Sequence, residues 1–90
     1  MNSGSIYVYI LRCANNSLYV GVTDDVEARL ELHNQGRGAR HTALNRPVSL
    51  VYREGPLNLN EGIAREAQLK RWSRAKKEAL IAVICHASMT

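Results

Sequence analysis

An α+β fold, with a three-stranded antiparallel sheet flanked by three helices, is what three features of these ninety residues predict. Two segments rich in β-branched and aromatic residues, Ile6 to Arg12 and Ser17 to Val22, stand on either side of the short connection Cys13-Ala14-Asn15-Asn16. A third such segment runs from Pro47 to Glu54, and stretches with helical periodicity separate and follow it. Strands joined by a tight turn pair antiparallel, so the order β-β-α-β-α-α excludes a doubly wound parallel sheet. Ninety residues bound a single domain, with its core between about residues 6 and 85.

The first two strands form a hairpin, because Asn15-Asn16 is turn chemistry between two runs of strong strand formers. Side chains alternate across a strand, so Tyr7 and Tyr9 share one face while Ile6, Val8 and Ile10 share the other. Tyr19 and Gly21 share a face of the second strand by the same rule. Thr23, Asp24 and Asp25 offer helix caps, and Val26, Leu30 and His33 then fall at i, i+4 and i+7, one face of a helix that stops near Asn34. Arg29 stands one turn before His33, so the two side chains can meet. Gln35 to Arg46 is polar, basic and glycine-bearing, the composition of a loop, in which Gly36 and Gly38 serve backbone turns.

Pro47 opens the third strand, where a missing N–H is tolerated, and Val48, Leu50 and Tyr52 alternate with Ser49, Val51 and Arg53 until Gly55-Pro56 ends it. Asn58 or Asn60 caps the second helix, along which Ile63, Ala67 and Lys70 line one edge and Leu69 and Trp72 lie three apart. Ser73 breaks it and caps a final helix from Arg74 to Cys85, with Leu80, Ile81 and Ile84 as its apolar stripe. Trp72 reads as a core anchor, and His86 to Thr90 as a frayed end.

Composition narrows the function classes. The chain is 46% hydrophobic and 22% charged, an ordinary globular balance that argues against disorder or a disulfide scaffold. Its longest apolar run, Ala79 to Cys85, falls far short of the roughly 18 to 20 residues a membrane span needs. Two distant cysteines, Cys13 and Cys85, and no signal-peptide pattern imply reduced thiols and a cytoplasmic location. The net charge is +4, unevenly placed: residues 35 to 90 carry ten bases against four acids, whereas the residues before them are net negative. Such clustering is what a phosphate backbone binds, although a solvated face has the same composition.

No glycine-rich phosphate loop, CxxC, HExxH or nucleophile-elbow motif is present, which sets aside nucleotide hydrolysis and zinc chemistry. What remains is a set of tyrosines on the hairpin, an arginine and a histidine one helical turn apart, a later helical glutamate, and many arginines. In phosphoryl transfer a carboxylate holds a divalent metal, an arginine meets developing negative charge, and a tyrosine or histidine manages a proton. Each has a plainer use: tyrosines pack on sheets, Arg29 can pair with Asp25, and Glu66 with Lys70.

The tripeptides Tyr7-Val8-Tyr9 and Tyr19-Val20-Gly21 resemble the paired motif of the GIY-YIG nucleases. The likeness continues through Arg29, ten residues after Tyr19, His33 one turn later and Glu66 on a later helix, and spans about residues 6 to 82. It departs at Tyr7 and Val8, which stand where the family name has Gly and Ile. It departs again in the last helix, which lacks an asparagine that some family nucleases carry. The resemblance implies a metal-dependent endonuclease hydrolysing phosphodiester bonds in DNA, in repair or recombination, although the sequence does not separate DNA from RNA. In it Tyr9 acts as or orients the general base, Tyr19 positions phosphate or nucleophile, Arg29 stabilises charge, His33 handles a proton, and Gly21 lets backbone approach. Glu66 would hold Mg2+, or another divalent ion such as Mn2+. Arg37, Arg40, His41, Arg46 and Lys70 would touch nucleic acid, and a protein partner could supply the target choice that so small a chain has no domain for. The rival expectation is a nucleic-acid-binding module that keeps the fold without turnover.

Overall fold

The computed structural model describes residues 5–88, with side chains through Val83. Strands β1 (Ile6–Arg12), β2 (Leu18–Thr23) and β3 (Ser49–Leu57) form one antiparallel sheet in the order β2-β1-β3. Helices α1 (Val26–Asn34) and α2 (Arg40–Ala43) lie between β2 and β3, and α3 (Leu59–Arg71) and α4 (Arg74–Ser88) follow. The predicted α+β order holds. Its one addition is α2, a single turn inside the segment that reads as a loop.

The hairpin forms as its composition predicts, with the Asn16 N–H donating to Cys13 O and Asn16 itself at φ 73. As the central strand, β1 is covered on both faces. One face carries Val8 and Ile10 into a core with Val20, Tyr52, Leu69 and Ile81. The other carries Tyr9 and Leu11 into a second core with Cys13, Val26 and Val48. Alternation along one strand therefore splits the protein into two layers.

β3 departs from simple alternation. Ile10 pairs with Tyr52 but Leu11 with Leu50, so Val51 is an extra residue, a β-bulge. Tyr52 consequently joins the first core and Leu50 the second, where strict alternation predicts one shared face. Gly55-Pro56 does not end the strand. A second register shift lies there, Gly55 at φ 143 accommodates it, and β3 continues to Leu57. Pro47 lies two residues before the strand rather than at its first position.

Asn58 caps α3 through a capping box, accepting from Glu61 N at 2.8 Å while Glu61 accepts from Asn58 N at 3.1 Å. The buried edge of α3 is Gly62 and Leu69, whereas Ile63 is half exposed. Hydropathy points to Ile63, but packing selects the glycine: a Cβ on Gly62 would sit 2.6 Å from Ile6 Cγ2. Arg65 bonds the Glu54 carboxylate, and Tyr52 donates to Glu54, which ties α3 to β3. Trp72 packs on the first core as predicted, with Arg65 and Lys76 against its ring. On α4, Glu78 receives both Nη atoms of Arg12 at 2.6 and 2.8 Å, which locks this helix to the hairpin. The helix continues past Cys85 to Ser88, so fraying does not begin at His86, and Met89 and Thr90 lie outside the described residues. The side chains of Ile84 and Cys85 also lie outside them. Cys13 is a free, buried thiol, and no described helix is long and apolar enough to cross a membrane.

Candidate active site

Local sequence places Arg29 and His33. Asp25 accepts from Ala28 N at 3.1 Å and starts α1. The helix ends in a Schellman motif, Gly36 N donating to His33 O and Arg37 N to Leu32 O, with Gly36 at φ 78. Within this helix Val26 and His33 are the buried positions. The imidazole of His33 is carried under the sheet, where Tyr9 points down from β1.

The centre of the site is a buried chain of hydrogen bonds. Tyr9 Oη and His33 Nε2 lie 3.0 Å apart, and His33 Nδ1 lies 2.6 Å from Thr42 Oγ1. Thr42 in turn donates to the Ala39 carbonyl at 2.9 Å. Tyr9 is 2% exposed, His33 1% and Thr42 0%, so these bonds are sheltered from water. The Tyr19 ring meets His33 edge-on at a centroid distance of 5.1 Å and His41 at 6.2 Å. His41 Nε2 also bonds Ser17 Oγ at 2.8 Å, which holds α2 against the hairpin.

Two glycines make this packing feasible by what they lack. A Cβ on Gly21 would lie 2.9 Å from Tyr9 Cε1, and one on Gly38 would lie 2.7 Å from His33 Cγ. Gly21 therefore makes room for a tyrosine ring, rather than serving only backbone approach. Gly38 likewise lies against the imidazole and does more than turn the chain.

Beside the chain opens a cleft of about 190 Å³ lined by Tyr19, Arg29, Leu32, His33, Arg37, Gly38 and Ala39. Four of the predicted residues thus share one cavity, and Tyr9 is buried behind it, bonded to His33. Among the described residues Arg29 makes no ion pair; Asp25, its expected partner, is the helix cap instead. Arg37, Arg40 and His41 are exposed, all on the connection that borders the cleft. Arg46 is exposed as well, its Nε donating to Ala43 O at 3.1 Å and its Nη1 to Asn34 O at 3.5 Å.

Electrostatics set the proton positions. Burial pushes the Tyr9 phenol up to about 12, the neighbouring Tyr19 and Glu66 add to the rise, and Arg29 opposes it. The shift is opposite to the one a free phenolate base would need. Burial and the Arg29 charge hold His33 below its ordinary value of 6.5, which keeps the ring neutral.

Glu66 stands on α3 and is not among the residues that line the cleft, and its charge acts on Tyr9. Its side chain is 22% exposed and pairs with Lys70 at 3.4 Å. Among the described residues no group of three or more His, Cys, Asp or Glu could hold a metal ion. One partly buried carboxylate, completed by water and substrate oxygens, is a donor set that suits magnesium. Sequence reading missed Thr42 and Gly38 as parts of the site, because nothing local to either residue points to His33.

Comparison with known proteins shows the family. Residues 5–79 match the model of the GIY-YIG catalytic domain. A UPF0213 protein of Staphylococcus aureus is 47% identical over 77 residues, which cover 86% of this chain and 94% of that protein. The UPF0213 protein SH2523 of Staphylococcus haemolyticus is 48% identical over 75 residues, covering 83% and 92%. The solution NMR structure of the UPF0213 protein BH0048 from Bacillus halodurans superposes with a TM-score of 0.57 at 38% identity, covering 87% of this chain and 83% of that one. The chain belongs to the GIY-YIG catalytic-domain family, a nuclease family that acts on nucleic acid.

Proposed function

We propose that this protein is a divalent-metal-dependent endonuclease that hydrolyses phosphodiester bonds in DNA, with a place in repair or recombination. The observation that carries the reading is the buried Tyr9–His33 hydrogen bond, 3.0 Å long, beside a cleft into which Arg29 brings an uncompensated charge. Arg29 would meet the negative charge that develops on the phosphorus-bound oxygens, for which a planar, permanently charged guanidinium is suited. Tyr19 would orient the phosphate or the attacking water. Arg37, Arg40, His41 and Arg46 would hold the flanking backbone, and Lys70 would contribute from α3.

Glu66 would hold Mg2+ or Mn2+, and a bound divalent ion supplies charge neutralisation of the scissile phosphate and a more acidic water. The proton path belongs to the protein's own residues. A phenol near pKa 12 does not work by standing ionised at neutral pH. It works by passing protons: the attacking water gives its proton to Tyr9 Oη as Tyr9 gives its own to His33 Nε2. The O–H of water breaks, an N–H forms on His33, and the phenol ends as it began.

The test is cleavage of labelled branched, single-stranded and duplex DNA with magnesium or with EDTA. Cutting with magnesium, lost in EDTA and in Glu66→Ala, is the expected result. Salt-dependent binding without cutting would instead identify a binding module, since phosphate contacts weaken steeply as salt rises.

A further inference from the structure

We propose that Thr42, on the short helix α2, sets the tautomer of His33 and thereby the direction in which a proton can leave Tyr9. Thr42 is a positioning residue: it acts through His33, and its hydroxyl does not line the cleft. The tautomer stands on hydrogen-bond geometry alone, and its consequence for cleavage rests on the nuclease reading above.

The hydrogens follow from what each atom can do. Thr42 Oγ1 lies 2.9 Å from the Ala39 carbonyl oxygen and 2.6 Å from His33 Nδ1. A carbonyl oxygen only accepts, so the single hydroxyl hydrogen goes to it, and Oγ1 has only lone pairs left for the imidazole. Nδ1 therefore carries the ring hydrogen. A neutral imidazole has one, so Nε2 faces Tyr9 Oη at 3.0 Å as an acceptor, and Tyr9 is the donor. The opposite tautomer would take the Thr42 hydrogen to Nδ1 and leave Oγ1 facing the Ala39 carbonyl oxygen at 2.9 Å with no hydrogen between them.

The arrangement also survives the transfer it prepares. Once Nε2 has taken a proton, Nδ1–H still points at Oγ1 and no bond must be remade. The ring has no room to slide, because Gly38 lies against it so closely that a Cβ would fall 2.7 Å from Cγ. With His33 1% and Thr42 0% exposed, no bulk water competes for Nδ1. A wrong tautomer in a comparable relay elsewhere costs several orders of magnitude in rate with the geometry intact.

The direct readout is the two-bond 1H–15N spectrum of the imidazoles above neutral pH, which distinguishes a protonated from a bare ring nitrogen. Wild-type His33 is expected to show a protonated Nδ1 and a bare Nε2; the reverse pattern overturns the proposal. Thr42→Val keeps the volume and removes the hydroxyl. It should lose the Nδ1–H preference and lower kcat for magnesium-dependent DNA cleavage by about tenfold or more, with KM changed less than about threefold. Thr42→Ser should restore both. A valine variant that retains Nδ1–H and full kcat overturns the proposal, and if that variant fails to fold, the wild-type spectrum still decides. A wild-type chain that cuts no DNA removes the nuclease reading instead, while the spectrum decides the role of Thr42.

Discussion

The two faces of β1 differ in kind although they come from one seven-residue strand. On one, Val8 and Ile10 meet Val20, Tyr52, Leu69 and Ile81, and α3 and α4 close a largely apolar layer. On the other, beside the apolar contacts of Leu11, Val26 and Val48, Tyr9 bonds His33 and His33 bonds Thr42, both bonds buried. The first face stabilises by removing apolar surface from water, where shape and volume matter most. The second contains buried polar groups that are tolerable only because each has a partner, and no described buried side-chain N or O lacks one. The contrast places the buried polar chain, and with it the proposed chemistry, on one face alone.

The sharpest way to break that contrast is a pair of truncations. Arg29→Ala should leave stability within about 0.5 kcal/mol of wild type and reduce kcat for DNA cleavage about 100-fold or more. Leu69→Ala, on the apolar face, should cost about 2–5 kcal/mol in urea denaturation followed by circular dichroism. Comparable stability losses in both variants would erase the distinction. Gly21→Ala tests where the layers meet, since its Cβ would collide with the Tyr9 ring. A loss of about 1–3 kcal/mol together with reduced cleavage is expected.

Acid should act on the two faces at different pH. Burial, aided by Arg29, lowers His33 in the native state from 6.5, so below about 6.5 the unfolded chain takes up a proton that the folded chain refuses. Stability should fall as pH drops through that window, by at most about 1.4 kcal/mol per pH unit, and stay flat above it. His33→Asn should abolish this slope in pH-dependent thermal unfolding. On the opposite face the Arg12 hydrogen bonds lower Glu78 from 4.5 to about 2. Its contribution should be complete above 4.5 and disappear as pH falls toward about 2, a step that Arg12→Ala removes. The smallest effect belongs to Lys70→Ala, which breaks an i,i+4 pair whose lysine is half exposed and should cost only a few tenths of a kcal/mol.

Much of this molecule is readable residue by residue. The hairpin around Asn15-Asn16, the capping of α1 and α3 by Asp25 and Asn58, and the burial of Val26 and His33 on one face of α1 all follow from neighbours within a turn or two. Those signals are local, so the sequence carries them openly. The bulge at Val51, the choice of Gly62 over Ile63 for the packed edge of α3, and the turn of helix at Arg40–Ala43 were not readable in this way. A bulge has no composition of its own, and four residues are too few to show a helical period.

The sequence by itself determined the α+β order, the basic second half, and the resemblance through Tyr9, Tyr19, Arg29 and Glu66 to a family whose model matches residues 5–79. Only the tertiary structure decided that Tyr9 lies buried against His33, that Glu66 is not among the residues lining the cleft, and that Gly38 lies against the imidazole. It alone brought Thr42 beneath the imidazole. The physical reason is range: caps, turns and periods are interactions between near neighbours, whereas a buried hydrogen bond joins residues 24 positions apart only after the sheet and helix have packed.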